Sequence, residues 1–490
     1  MARASASSPA VISGEPLVIR DCTLRDGRHA DVVVRDGKIA AILAGGSGIS
    51  ARSMDAAGGL LIPGLHDHHL HLAATAAAAT SVRCGPPDVV DRDGLIHALT
   101  GPGEGWIRGI GYHESVAGFP DRHQLDAIMR DRPLRIQHRS GRMWMFNSRG
   151  IELLLAADAE AGQRLEAGAG GMTGRLIDQD AWLSNALRGT WPAFSAIGTA
   201  LARAGVCGIT DMTVSNDHAA TAHFAAERAR GALPQKAMIA GRMNLGEHLP
   251  AGITRGPFKI HLHDAALPDY GEMVGMIAVA HAADRPVAVH CVTQAELVFT
   301  LAAIRDAGAL PGDRIEHASI APPDLVGQIA DLKLAVVTQP NFIAERGDAY
   351  LDALAPHDRD HLYRLRSWLA ADVALAGGTD SPFGAADPWR AMAAAVSRRT
   401  ASGGVIGAAE ALTPEQALDL FLADPADLSR VREVVAGAPA DLCLLTQPWA
   451  GVREALDGAT VALTLIEGRI AHDDIDQPDR QRFARADPSS

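Results

Sequence analysis

"LIPGLHDHHLHL", residues 61–72, sets four histidines and an aspartate within the six positions from His66 to His71. Successive side chains of a strand face opposite sides, so His66 and His68 point one way and Asp67, His69 and His71 the other. Only one of these faces can serve a ligand site. A histidine-rich surface turn would give the same letters, so the decision rests on what the rest of the chain delivers.

The rest of the chain has a repeating texture. Apolar, β-branched runs alternate with Ala- and Leu-rich helical stretches: "GVCGITDMT" (205–213), "QKAMIAGR" (235–242), "GPFKIHLH" (256–263), "RPVAVHC" (285–291), "DRIEHAS" (313–319), "LAVVTQP" (334–340) and "VALAGGTD" (373–380). With residues 61–71 as the first strand, eight strands separated by helices predict an α/β fold, a closed parallel (β/α)8 TIM-like barrel. In such barrels the chemistry sits at the C-terminal ends of the strands. Ligand-type side chains fall there repeatedly: His69 and His71 on the first strand, Lys259 in the fourth, His290 on the fifth, His317 on the sixth and Asp380 on the eighth. Each has an ordinary explanation alone, as a packed imidazole, a snorkelling lysine or a turn-capping aspartate. Together they predict a site.

Both chain ends read as β structure. "LVIRDCTL" and "RHADVVVRDGKIAAIL", with Asp36-Gly37 at a hairpin position, are answered by "PADLCLLTQPW" and "ATVALTLIEGRIAH", with Glu467-Gly468 between two apolar runs. Neither piece buries enough alone, so residues 16–60 and 432–475 are expected to form one small composite β-sandwich domain. The barrel is expected over 61–431, with an insertion or lid at about 85–200 that breaks the repeat. Residues 1–15 read as a disordered leader and 476–490 as a polar tail.

Composition bounds the function. A net charge of −13 with no basic run argues against nucleic acid or an anionic membrane as partner. No stretch of about 18 apolar residues predicts a membrane span. The five scattered cysteines form no disulfide framework or zinc ribbon and fit a reducing cytoplasm. The expected partner is a small-molecule substrate, and a homodimer, the commonest assembly, is the default oligomer.

At this point the residues carry a resemblance. "PGLHDHHLH" resembles the Pro-Gly-x-x-Asp-x-His-x-His signature of the metal-dependent amidohydrolase superfamily, and "GVCGITDMT", "AVHC", "RIEHAS", "AGGTDSP", "LTPEQALDLFLADPA" and "GAPADLCLL" resemble its further blocks in order. The segments "WIRGIGYHE" and "HRSGRMWMFNSRGIELL" are similar to the amidohydrolase subgroup with an insertion after the first strand. The resemblance implies that His69, His71, Lys259, His290, His317 and Asp380 hold a divalent metal, with zinc the first expectation for a nitrogen and oxygen shell. It also implies a carboxylated Lys259 bridging two ions. As an ammonium paired to a carboxylate, Lys259 would leave one ion. A bound ion lowers the pKa of water to about 7 and polarises a carbonyl, and Asp380 would take the proton and pass it to the leaving nitrogen. The expected reaction is hydrolysis of a non-peptide amide, N-acyl or cyclic, in a small molecule.

Several positions depart from the pattern or leave alternatives. Arg142 stands where the subgroup usually has histidine after Gly141, and reads either as a substrate carboxylate or carbonyl clamp or as a salt bridge inside the insertion. Gly109, Gly111 and Tyr112 are expected to form a tight approach under the pocket, with Tyr112, His113 and Glu114 as candidates for substrate contact. His263 reads as a supporting or substrate residue or as a satisfied core group. Gln339 and Asn341 are placed to hydrogen-bond a substrate, although "TQPN" is equally a turn. A mononuclear deaminase of a heterocycle is the alternative reaction, disfavoured because "HCVTQ" lacks the His-x-x-Glu typical of those enzymes; a non-catalytic barrel scaffold would have lost ligands that this chain keeps.

Overall fold

The computed structural model describes residues 16–475 except 103–104, 169–170, 180–181, 184–185, 188–190 and 247–248, so the expected leader and tail lie outside the described residues. Two compact units are present: residues 1–72 with 193–490, and residues 73–192.

The first unit contains eight strands hydrogen-bonded in chain order: β1 (Leu65–Leu70), β2 (Val206–Asp211), β3 (Lys236–Gly241), β4 (Ile253–His261), β5 (Val287–Cys291), β6 (Arg314–His317), β7 (Ala335–Thr338) and β8 (Leu375–Gly377). All neighbours are parallel. The turn after β8 brings the ends together. Asp380 N donates to His69 O at 2.7 Å and His71 N to Ser381 O at 2.8 Å. Thr379 donates to Asp67 twice, from N at 3.0 Å and from Oγ1 at 2.6 Å. This approach requires a glycine at 378, where a Cβ would stand 2.5 Å from that of His69.

Helices His218–Ala229, Tyr270–Ala282, Gln294–Ala307, Pro323–Asp331 and Asn341–Ala353 connect the strands as expected, with one exception. The described residues between β3 and β4 contain no helix, because this short link carries Gly246, Pro250 and Gly252, which disfavour a helical run.

The small domain consists of two four-stranded sheets. One joins Leu17–Thr23, His29–Arg35, Lys38–Ala44 and Arg52–Asp55; the other joins Leu442–Leu445, Val461–Ile466 and Arg469–Asp473 to Leu61–Pro63. They share a core of Ile19, Val32, Val34, Ile39, Leu61, Leu442, Leu444, Leu463 and Leu465. Both expected hairpins have positive φ at their two central residues, 50° and 73° at Asp36-Gly37 and 52° and 74° at Glu467-Gly468, the conformation that favours a tight turn. The expectation that residues 61–71 form a single barrel strand needs correction. Leu61–Pro63 pairs antiparallel with Leu442–Leu444, and the barrel strand starts after Gly64.

The second unit, Ala73–Pro192, has its own five-stranded sheet in the order Arg175–Ile177, Met143–Phe146, Leu134–His138, Ile107–Tyr112, Val82–Arg83. It is packed on its own apolar clusters, one around Leu95, Leu134 and Ile136 and one around Phe146, Leu154 and Leu176. No described helix in the chain is long and apolar enough to cross a membrane, and all five cysteines are buried and unpaired.

Candidate metal centre

At the C-terminal ends of β1 and β8, His69, His71 and Asp380 offer ligand atoms that lie within 4.8 Å of one another. Asp380 Oδ1 is 3.5 Å from His69 Nε2 and 3.2 Å from His71 Nε2. It is buried, yet has no hydrogen bond of good geometry. Two ring nitrogens and a carboxylate oxygen that converge in this way form a donor set that a common cation would fit.

The opposite edge of each ring is held. His69 Nδ1 lies 2.5 Å from Glu316 Oε2, His71 Nδ1 lies 3.1 Å from Thr213 Oγ1, and His317 Nδ1 lies 2.7 Å from Gln339 Oε1. A carboxylate or an amide oxygen can only accept, so these contacts at His69 and His317 suit rings that carry a proton on Nδ1 and leave Nε2 as a lone-pair donor. Such outer partners are what orient imidazole ligands in metal sites. The His317 ring is centred 4.7 Å from that of His69, and the His290 ring 4.5 Å from that of His317. Burial holds His69, His290 and His317 below the ordinary histidine range, which keeps them neutral. Burial alone would raise the Asp380 carboxyl, but the imidazoles of His69, His71 and His317 outweigh it and the group stays ionised.

Lys259 is buried within electrostatic reach of Glu316 and Asp380. Its Nζ is buried with no hydrogen-bond partner, and burial brings its pKa down to about 8 against the pull of Glu316 and Asp380. Burial enlarges the unprotonated fraction of this amine, the form that reacts with carbon dioxide.

The backbone takes unusual conformations at these positions. His317 has φ 70° and Asp380 φ 54°, in the left-handed region that costs a residue with a Cβ of order 1–3 kcal/mol. At His317 this breaks the strand alternation, so that Glu316 and His317 both approach His69.

Residues expected to touch substrate fare differently. Gln339 is fully buried and its Oε1 is committed to His317, so it orients that ring. Asn341 is buried and donates to Thr379 O at 3.1 Å, tying the helix it starts to the β8 turn. Tyr112, a candidate for substrate contact, instead lies in the core of the second unit with its hydroxyl donating to Gly118 O at 2.7 Å. His113 accepts from Ser115 N at 3.2 Å and caps the short helix Glu114–Ala117. Arg142 makes a two-pronged ion pair with Asp178, with both side chains exposed, which is the structural of its two readings. His263 is exposed, its ring 4.6 Å from that of His261. His66, on the strand face away from His69 and His71, binds Thr210 Oγ1 at 2.9 Å, and His68 is buried beside it.

Sequence reasoning passed over Glu316, Arg314 and Thr213. Arg314 Nε donates to Glu316 Oε1 at 2.6 Å, and the His261 ring stacks on His290 at 4.2 Å. The available signal was spacing: Arg314 and Glu316 alternate on one face of a strand that has no reason to hold charges in its interior.

A parallel barrel with imidazoles and an ionised carboxylate gathered at its C-terminal strand ends defines a barrel hydrolase. The chain belongs to the amidohydrolase family, whose profile matches residues 52–472, and is a hydrolase of carbon–nitrogen bonds other than peptide bonds. It is similar to the N-substituted formamide deformylase of Arthrobacter pascens, at 24% identity over 90% of this chain and 93% of that protein. Among solved structures it resembles an uncharacterized metal-dependent hydrolase from Pyrococcus horikoshii OT3, with a TM-score of 0.71 and 21% identity over 90% of this chain and 99% of that one. A mutant of the atrazine chlorohydrolase TrzN from Arthrobacter aurescens TC1, solved with zinc and atraton, has a TM-score of 0.56 and 14% identity over 96% of this chain and 98% of that one.

Proposed function

We propose that the protein uses a divalent metal to hydrolyse a small N-acyl or cyclic amide, with N-substituted formamides the first class to test. The observation that carries this is the convergence of His69 Nε2 and His71 Nε2 on one buried Asp380 oxygen. His290, His317 and Lys259 complete the donor set. The similarity to a formamide deformylase supports the choice of substrate. Zinc suits this nitrogen and oxygen shell, and a carboxylated Lys259 would supply the extra anionic oxygens that a second ion needs.

When bound, the metal acidifies water and polarises the substrate carbonyl. The chain's own residues supply the rest. The imidazoles, held by Glu316, Thr213 and Gln339, keep their lone pairs fixed on the site. Asp380, ionised at neutral pH, takes a proton from the attacking water and returns it to the departing nitrogen. That return lets an amine rather than an amide anion leave. The first acid after β5, Glu296, is spent in a capping box with Thr293, which disfavours the deaminase alternative.

The test is metal stoichiometry by elemental analysis of protein purified without chelators, with and without bicarbonate, for wild type and Lys259→Ala, alongside amine release from formamides, N-acyl amines and cyclic amides. Two ions falling sharply in Lys259→Ala support the carbamate. One ion in both leaves Lys259 structural. No bound ion, or turnover unaffected by chelation, overturns the metal reading.

A further inference from the structure

His69 ends a line of three buried side chains, Arg314, Glu316 and His69, whose hydrogen-bonding polarity is fixed. Arg314 Nε donates to Glu316 Oε1 at 2.6 Å, and Glu316 Oε2 faces His69 Nδ1 at 2.5 Å. The side chains of Arg314, Glu316 and His69 are 4%, 0% and 1% exposed, so water cannot substitute for any of these partners. Arg314 is further anchored by donating from its second nitrogen to His68 O at 3.2 Å.

A guanidinium can only donate and a carboxylate can only accept. Glu316 therefore accepts from both sides, and the proton of His69 must sit on Nδ1. The Nε2 lone pair is then left facing Asp380 Oδ1, 3.5 Å away. We propose that Glu316, oriented by Arg314, is a positioning residue that locks His69 in the one tautomer able to ligate the metal. The inference rests on the metal reading given above, but its claim about the free protein can be tested separately.

The tautomer lock produces a pattern that simple loss of packing would not. In Glu316→Gln the shape is kept, but the amide has one accepting and one donating end. Arg314 demands the oxygen, so the NH2 group faces His69 Nδ1. That nitrogen must then accept, its proton moves to Nε2, and the lone pair for the metal is lost. In the double variant Arg314→Met/Glu316→Gln nothing demands the oxygen on the far side. The amide can turn over, accept from Nδ1–H and restore the ligating tautomer.

Zinc affinity is measured by competition with a chromophoric chelator, together with thermal melts to verify folding. Glu316→Gln should bind zinc about 10–100-fold more weakly than wild type, the usual range for a lost outer partner. The double variant should recover most of that loss despite carrying one more substitution. Wild-type affinity in Glu316→Gln, or a double variant no better than the single one, overturns the proposal. Two-bond proton–nitrogen spectra of the metal-free wild type give a second readout that needs no variant to fold. A His69 proton on Nδ1 is expected, and one on Nε2 overturns the lock. Failure of wild type to bind zinc or any other divalent ion would instead overturn the metal reading while leaving the spectra to decide the tautomer.

Discussion

Asp380 sits with one oxygen within 3.5 Å of two imidazole nitrogens, on a backbone whose φ of 54° few residues adopt. Its position and its charge are therefore both specified. Asp380→Asn keeps the first and removes the second, together with the ability to carry a proton. Turnover should fall by about 100-fold or more, the scale of a lost general base, with the melting temperature of the metal-free protein little changed. Steady-state kinetics at saturating metal check this, and retained turnover removes Asp380 from the chemistry. Arg142 is the opposite case. Its pair with Asp178 joins side chains 56% and 45% exposed, where such pairs contribute about 0–1 kcal/mol. Arg142→Ala should leave kcat/KM and the melting temperature nearly unchanged, and a large change in substrate preference would restore the clamp reading. At this scale the sequence shows which side chains can act and not which way they point. Gln339 has the right chemistry at the right strand end, yet its amide oxygen is committed to His317.

Among the elements, strands were legible because β-branched runs bounded by glycine and helix-rich stretches have few other interpretations. What escaped were the connections. Gly64 divides one apolar run between two sheets, a division set by partners nearly 380 residues away at Leu442–Leu444. A further long-range tie is Glu410, which accepts from Arg364 Nη1 at 2.6 Å, Leu365 N at 3.0 Å and Ser367 N at 2.9 Å. It thereby caps the helix Arg366–Ala370 from a distant turn. Burial would raise this carboxyl, but the Ser367, Leu365 and Arg364 contacts outweigh it and hold its pKa low. A depressed carboxylate contributes stability that is present above the unfolded value of about 4.3 and lost as pH falls through the folded one. Glu410→Gln strands a buried guanidinium and should cost about 3 kcal/mol or more at pH 7. The deficit relative to wild type should shrink as the pH is lowered below about 4, where wild type loses the same interaction. Urea midpoints across that range check it, and a deficit independent of pH counts against an ionic tie.

For the whole molecule, the composite domain was legible because two short β pieces at opposite chain ends cannot stand alone. The barrel was legible because ligand-type residues recur at strand ends. His69, His71, Lys259, His290, His317 and Asp380 all belong to the unit made of residues 1–72 and 193–490, so metal binding must report on that unit's stability. An ion held only by the native state at 100 times its dissociation constant stabilises by about 2.7 kcal/mol. In domains of about 150–250 residues 1 kcal/mol moves the melting temperature by about 2–4 °C, and less in larger ones. Chelation should therefore lower the melting temperature by a few degrees, reversibly on adding zinc back. His71 decides whether that shift arises at the proposed site. Its side chain is 19% exposed, so His71→Ala removes a ligand without opening a sealed cavity. In that variant the melting temperature should lie near that of metal-free wild type and respond little to zinc. A full zinc response in His71→Ala would mean that the stabilising ion binds somewhere else, and the convergence on Asp380 would lose its meaning as a metal centre.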